Sequence, residues 1–243
     1  MTSSISLGQF VQQPSQQLSI NALPHIQLQT PRCLLFGPQR SGKTSLLFQY
    51  AFQIACSGQD VVFICDRAQL DQAPPLLPFG VSQQHAAFSK IHFKYVQDLH
   101  QLRKYGACVH LLQEPPAAVI VDDLAHLLAS TRLPDKRARD TEVTRALAYL
   151  ADGLDQLRER RGLSVFLLVS DTCCDEGQHN LYLLQRWFPL MLQVTGPAPN
   201  VVGRVLTLGV AAPCKQSVPP AAARAAVNYT ITQSYLNVEH VQL

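Results

Sequence analysis

From Arg32 onwards, short apolar runs alternate with segments whose apolar residues recur every three or four positions. The runs CLLFG, VVFIC, IHFKYV, AAVIVDD and SVFLLVSD are too short for helices and rich in Val, Ile, Leu and Phe, which predicts buried strands. Between them, Leu46, Leu47, Tyr50, Ala51, Ile54 and Ala55 predict a helix over about Lys43 to Cys56, with Gly58 close to its end. Leu99, Leu102, Val109 and Leu112 predict a second over about Asp98 to Leu112, stopped by EPP. The longest, about Asp140 to Arg161, carries Val143, Leu147, Leu150, Leu154 and Leu157 on one stripe and ends in RERRG, where cations suit the negative end of the dipole. This alternation predicts an α/β fold, a mostly parallel central sheet flanked by helices.

Beyond Ser170 the runs shorten and Pro and Gly become frequent. MLQVTG, RVLTLG and NYTITQ are expected as antiparallel strands that extend one edge of the sheet near the C-terminus. At the other end, residues 1–31 are rich in Gln and Ser, hold no Asp, Glu, Lys or Arg and keep no sustained period, so a disordered tail is expected there. Residues 32–243 are then a single domain.

Composition narrows the function classes. A chain of 243 residues with 47% hydrophobic and 15% charged residues reads as globular, and a formal charge of +3 is too small to announce a nucleic-acid partner, so any basic surface must be local. No apolar run approaches the roughly 20 residues that span a bilayer, and the N-terminus lacks a secretory pattern. A cytosolic or nuclear protein without a membrane partner is the expectation. Seven cysteines without a C-x-x-C pair read as buried small hydrophobes rather than a metal or redox framework.

The chemistry concentrates at the first strand. Gly37-Pro38-Gln39-Arg40-Ser41-Gly42-Lys43-Thr44 satisfies the Walker A pattern G-x-x-x-x-G-K-[ST] between an apolar strand and an amphipathic helix, where its mechanism requires it. With Ser45 it forms a cradle of backbone N–H groups at a helix N-terminus for the phosphates of ATP. Lys43 reaches the β- and γ-phosphates and the Thr44 hydroxyl ligates Mg²⁺. AAVIVDD delivers Asp122 to the sheet's C-terminal edge as the second metal-holding group. Hydrolysis also needs a carboxylate that positions water, and two are available: Asp123, beside the metal aspartate, and Asp66, at the end of VVFIC. Either can equally be a loop residue or an ion-pair partner. Ser170 and Asp171 end SVFLLVSD, where a polar side chain senses the γ-phosphate or caps the next turn. Two basic clusters, Arg132, Lys136, Arg137 and Arg139, and Arg158, Arg160 and Arg161, are candidate contacts to DNA phosphates, or else a solvated loop and helix end.

The loop, VVFIC, AAVIVDDL, the long helix and SVFLLVSD together resemble the RecA-type recombinase core over about Arg32 to Asp171. SKIHFKYVQDLHQLRKY and LYLLQRWFP are further similar to the short ATPase that pairs with a SWIM-type zinc-finger protein in vertebrate Shu-type complexes, a divergent recombinase paralogue. The resemblance implies a RecA-like P-loop NTPase fold and a nuclear ATPase that assists homologous recombination. It implies three partners: the SWIM-domain protein, the strand-exchange recombinase and single-stranded DNA.

One departure bears on rate. RecA-type proteins keep a water-activating glutamate just after the second strand, and FICDRAQLD puts Arg67 there, with Asp66 one residue early. The family's fourth-strand amide falls on Asp171 or Ser170. Loss of a positioned base costs about 10²-fold or more, so weak ATP turnover is expected, raised by DNA or partner. Phe48 to Ala51 and Phe52 to Ala55 match the F-x-x-A docking pattern of recombinases, but lie on the apolar face of the first helix, which belongs to the core unless either Phe is exposed. A small-molecule P-loop kinase or a pseudo-ATPase scaffold would use the same loop.

Overall fold

The first departure from these expectations lies before Arg32. The computed structural model describes residues 3–11, 21–172, 181–197, 204–211 and 220–242. Strands β1 (Ser3–Ile5) and β2 (Ile26–Leu28) pair antiparallel, and a 3-10 turn over Leu7–Phe10 is capped by Ser6. Ile5, Leu7, Phe10, Val11, Leu23, Ile26 and Leu28 are all buried. This corrects the expectation of a tail for the described part of residues 1–31. Isolated apolar residues in a Gln/Ser background show no helix or strand period, yet all join the core on the side of helix α1 (Lys43–Cys56), where Phe10 stacks on Tyr50 at 5.0 Å.

The main sheet contains β3 (Arg32–Gly37), β4 (Val61–Cys65), β5 (Ile91–Tyr95), β6 (Ala118–Val121), β7 (Phe166–Thr172), β8 (Leu190–Thr195), β9 (Leu206–Val210), β10 (Ala226–Ile231) and β11 (Leu236–Gln242), in the order β11-β10-β9-β8-β3-β7-β6-β4-β5. From β8 to β5 the strands are parallel, and β9, β10 and β11 continue the sheet antiparallel. MLQVTG, expected as antiparallel, is β8 and runs parallel to β3, with Leu34 opposite Met191. Leu190, Met191, Leu192 and Val194 are all buried, as in a strand covered on both faces, while the Pro- and Gly-rich surroundings suggested hairpins. The hairpin partner β11 adds a fourth strand after Ser170 that the pattern did not predict.

Each parallel strand feeds two cores except the edge strand β5, expected as buried, of which only Ile91 is covered. On one face Cys33, Leu35, Phe63, Ile120 and Leu168 pack with α1 and the N-terminal ribbon. On the other, Leu34, Ile64, Val121 and Val169 pack with helices that follow α2 (Arg67–Gln72): α3 (Leu99–Cys108), α4 (Leu124–Ser130) and α5 (Lys136–Arg161). Helix α5 begins one turn earlier than its apolar stripe, because Asp135 accepts from Ala138 N–H at 2.7 Å and caps a first turn that is mostly exposed. Phe48 and Phe52 are 5% and 2% exposed, so the F-x-x-A matches belong to the core. Cys33 and Cys65 are buried, but Cys56 and Cys108 are exposed, against the expectation of uniformly buried cysteines. Among the described residues no helix is long and apolar enough to cross a membrane.

Because β3 leads to β4 across both β7 and β6, the strand order switches beside β3. Crevices for ligands open at such points, outside the carboxyl ends of the strands.

Candidate nucleotide site

The ends of β3, β6 and β7 meet at that crevice. Gly37 closes β3 against β8; a Cβ there would stand 2.7 Å from the Val194 carbonyl oxygen, so only glycine lets the strand turn away. The loop then reaches Gly42 in the left-handed conformation, φ 77°, and α1 starts at Lys43. Lys43, 7% exposed, donates through Nζ to the carbonyls of Gly37 at 3.2 Å and Pro38 at 2.7 Å, and Ser41 Oγ donates to the same Pro38 carbonyl at 2.8 Å. Gln39 and Arg40 are exposed at the loop's tip. Ser45 is buried and accepts from Leu76 N–H at 3.0 Å, which ties the loop after α2 to α1.

The outer side of the loop rests on the antiparallel extension. Tyr229 on β10 donates its hydroxyl proton to the Ser41 carbonyl at 2.7 Å, and Arg204 donates to the Arg40 carbonyl. Ile231 Cδ1 and Leu236 Cδ2 lie 3.3 and 3.4 Å from where a Cβ of residue 42 would stand. Sequence reading missed these braces; no local pattern links residues so far apart.

Inside the crevice, Thr44 Oγ1 donates to Asp122 Oδ2 at 2.8 Å, and Ser170 Oγ donates to Asp122 Oδ1 at 2.7 Å. Burial pushes the Asp122 carboxyl above its ordinary value, while these two hydroxyls pull it back. A hydroxyl and a carboxylate oxygen this close are the hard oxygen donors that Mg²⁺ takes. Among the described residues no group of three or more His, Cys, Asp or Glu is placed to hold a metal, so any cation here depends on this pair and on phosphate oxygens or water.

The two candidate water-positioning carboxylates are both helix caps. Asp66 accepts from Gln69 N–H at 3.1 Å at the start of α2, and its other oxygen lies 3.6 Å from His126 Nε2. Asp123, in a left-handed conformation at φ 52°, accepts from Thr172 Oγ1 at 3.1 Å and from His126 N–H at 3.4 Å at the start of α4. Arg67 points outward; its side chain is 72% exposed, pairs with Asp71 at 3.6 Å and lies over the Tyr95 ring at 5.5 Å. Asp171, next to Ser170 on β7, is buried, and desolvation with the nearby Asp123 charge raises its carboxyl to about 7.

The basic clusters occupy opposite ends of α5, about 38 Å apart at 1.5 Å per residue over 26 residues. Arg132, Lys136, Arg137 and Arg139 are exposed in the turn before α5 and on its first turn. At the other end Arg158 donates to the Gln29 carbonyl at 3.5 Å, and Arg161 donates to those of Leu112 at 2.8 Å and Gln113 at 2.9 Å. Arg160 is exposed beside them. The seven residues therefore do not form one patch.

The strand order, the loop between β3 and α1 and the aspartate at the end of β6 define a RecA-like P-loop ATPase core. In agreement, the KaiC-like protein PH0186 of Pyrococcus horikoshii OT3 superposes with a TM-score of 0.57 over 86% of this chain and 89% of its own, at 14% identity. Human ATPase SWSAP1 is 30% identical over 182 residues, 71% of this chain and 76% of its own, and the mouse ATPase SWSAP1 is 29% identical over 165 residues, 65% of this chain and 56% of its own. The chain belongs to the SWSAP1 ATPase family. No protein-family model matches it.

Proposed function

We propose that this protein is an ATP-binding, slowly hydrolysing RecA-like subunit that assists homologous recombination in the nucleus as a nucleotide-switched scaffold. It acts with a SWIM-domain zinc-finger protein, the strand-exchange recombinase and single-stranded DNA. The observation that carries the reading is the convergence of Lys43, Thr44 and Asp122 at one strand switch, with Thr44 and Asp122 in hydrogen-bond contact. A buried ammonium beside a backbone cradle recognises phosphate, and phosphate oxygens compete with the Gly37 and Pro38 carbonyls for it. Thr44 and Asp122 would hold Mg²⁺, which when bound neutralises charge on the β- and γ-phosphates. The engagement of Asp66 and Asp123 as caps, with Arg67 turned out, supports slow turnover.

Equilibrium binding of a fluorescent ATP analogue, with Mg²⁺, tests this directly. Lys43→Ala is expected to weaken it about 100-fold or more, on the order of 3 kcal/mol for a lost charge-assisted contact. Unchanged affinity in the variant removes the nucleotide reading. Single-stranded DNA and partner affinity should depend on ATP in the wild type and lose that dependence in Lys43→Ala; DNA binding should also weaken with salt. Affinities indifferent to nucleotide leave a static scaffold.

A further inference from the structure

One side chain at the crevice contacts no nucleotide in the reading above, yet controls the group that would hold the metal. Ser170 is fully buried on β7, and the register that sets Val121 opposite Val169 brings Asp122 beside it. A serine hydroxyl has one proton to give and lone pairs to accept with. Here the proton goes to Asp122 Oδ1 at 2.7 Å, and the oxygen accepts the Asp123 N–H at 2.8 Å. With Oδ1 held from β7, Oδ2 is the oxygen left facing Thr44. The bond to the Asp123 N–H has a second effect, because it steadies a non-glycine residue in a left-handed conformation that costs about 1–2 kcal/mol.

We infer that Ser170 is a positioning residue for the metal: it aims Asp122 at the Thr44 hydroxyl, so that the cation meets a carboxylate already set. This rests on the proposal that the crevice binds Mg²⁺ and ATP. Without the hydroxyl, the bond from β7 that fixes the rotation of the Asp122 carboxylate is lost, at a position that is itself fully buried. Groups that orient a metal ligand from behind typically change metal affinity 10- to 100-fold when removed.

The test is the Mg²⁺ dependence of N-methylanthraniloyl-ATP binding to the full chain, with melting followed in parallel. Ser170→Ala should raise the Mg²⁺ concentration at half-maximal binding about tenfold or more, while affinity in EDTA stays within about twofold. Ser170→Cys, nearly the same size but a weak donor, should shift in the same direction by less, and serves if the alanine variant does not fold. In an Asp122→Asn background Ser170→Ala should add no further Mg²⁺ shift, because its effect passes through that carboxylate. A folded variant with an unchanged Mg²⁺ midpoint, or one equally weakened in EDTA, overturns the inference and leaves a purely structural serine. Wild-type protein that fails to bind the analogue at saturating Mg²⁺ overturns the nucleotide reading itself.

Discussion

The two sides of the crevice use their polar groups differently. On the phosphate side, Thr44 and Ser170 both donate to Asp122, Lys43 donates to carbonyls of the loop, and the loop is braced from β10 and β11. On the water side, three carboxylates are committed to backbone N–H groups: Asp66 at α2, Asp123 at α4, and Asp171, which accepts from the backbone of Ala125 and Thr172. The groups proposed to meet phosphate and metal are held by contacts within the crevice, whereas Asp66 and Asp123 serve to begin helices and Asp171 is held within β7. That contrast is what supports the proposal of slow turnover.

Asp171 offers the strongest way to break that contrast. Its carboxyl is raised from 3.8 to about 7 in the folded protein. Between those values the unfolded chain has released its proton and the folded chain has kept it. The stability this group contributes is therefore complete below about pH 4, falls as pH rises, and is gone above about pH 7, a loss on the order of 2–4 kcal/mol. Asp171→Asn retains an oxygen for the backbone donors and removes the charge. Urea unfolding should show the variant more stable than wild type at pH 8, with a flatter profile between pH 4 and 7. An asparagine variant less stable at pH 8 would mean that the ionised acid is wanted, and the water side would gain a candidate base.

A smaller effect is expected at the cap of α2. Asp66→Ala removes the acceptor for Gln69 N–H and should cost about 1 kcal/mol by denaturant titration, with ATP turnover unchanged. Turnover that falls tenfold while stability holds would make Asp66 a base after all. Least of all should change in Arg67→Glu. The exposed Arg67–Asp71 pair contributes little, and the residue starts α2 facing Tyr95, so restoring a carboxylate should alter DNA-stimulated turnover less than about twofold. A tenfold rise would show that only the side chain, and not its placement, had diverged.

Much of this was legible in the chain itself. The apolar runs marked β3 to β7, the 3-and-4 spacing gave α1 its observed bounds of Lys43 and Cys56, and the glycines and lysine located the loop. Patterns of this kind report what a segment buries, which is local. They are silent on which strand lies beside which, so the direction of β8, the pairing of Ser170 with Asp122 and the hold of Tyr229 on Ser41 had to come from the fold. The N-terminal ribbon escaped for a related reason: its apolar residues join a core built mostly from distant elements and keep no period of their own.

The brace on the loop also has a consequence in time. Ser41 and Tyr229 are separated by 188 positions, so a ribosome finishes the phosphate loop long before it makes the residue that secures it. Nascent chains would carry the complete motif with a cradle that lacks its outer brace until β10 and β11 had emerged and closed the edge of the sheet. A chain broken off before Tyr229 would lack the brace while keeping every residue of the motif.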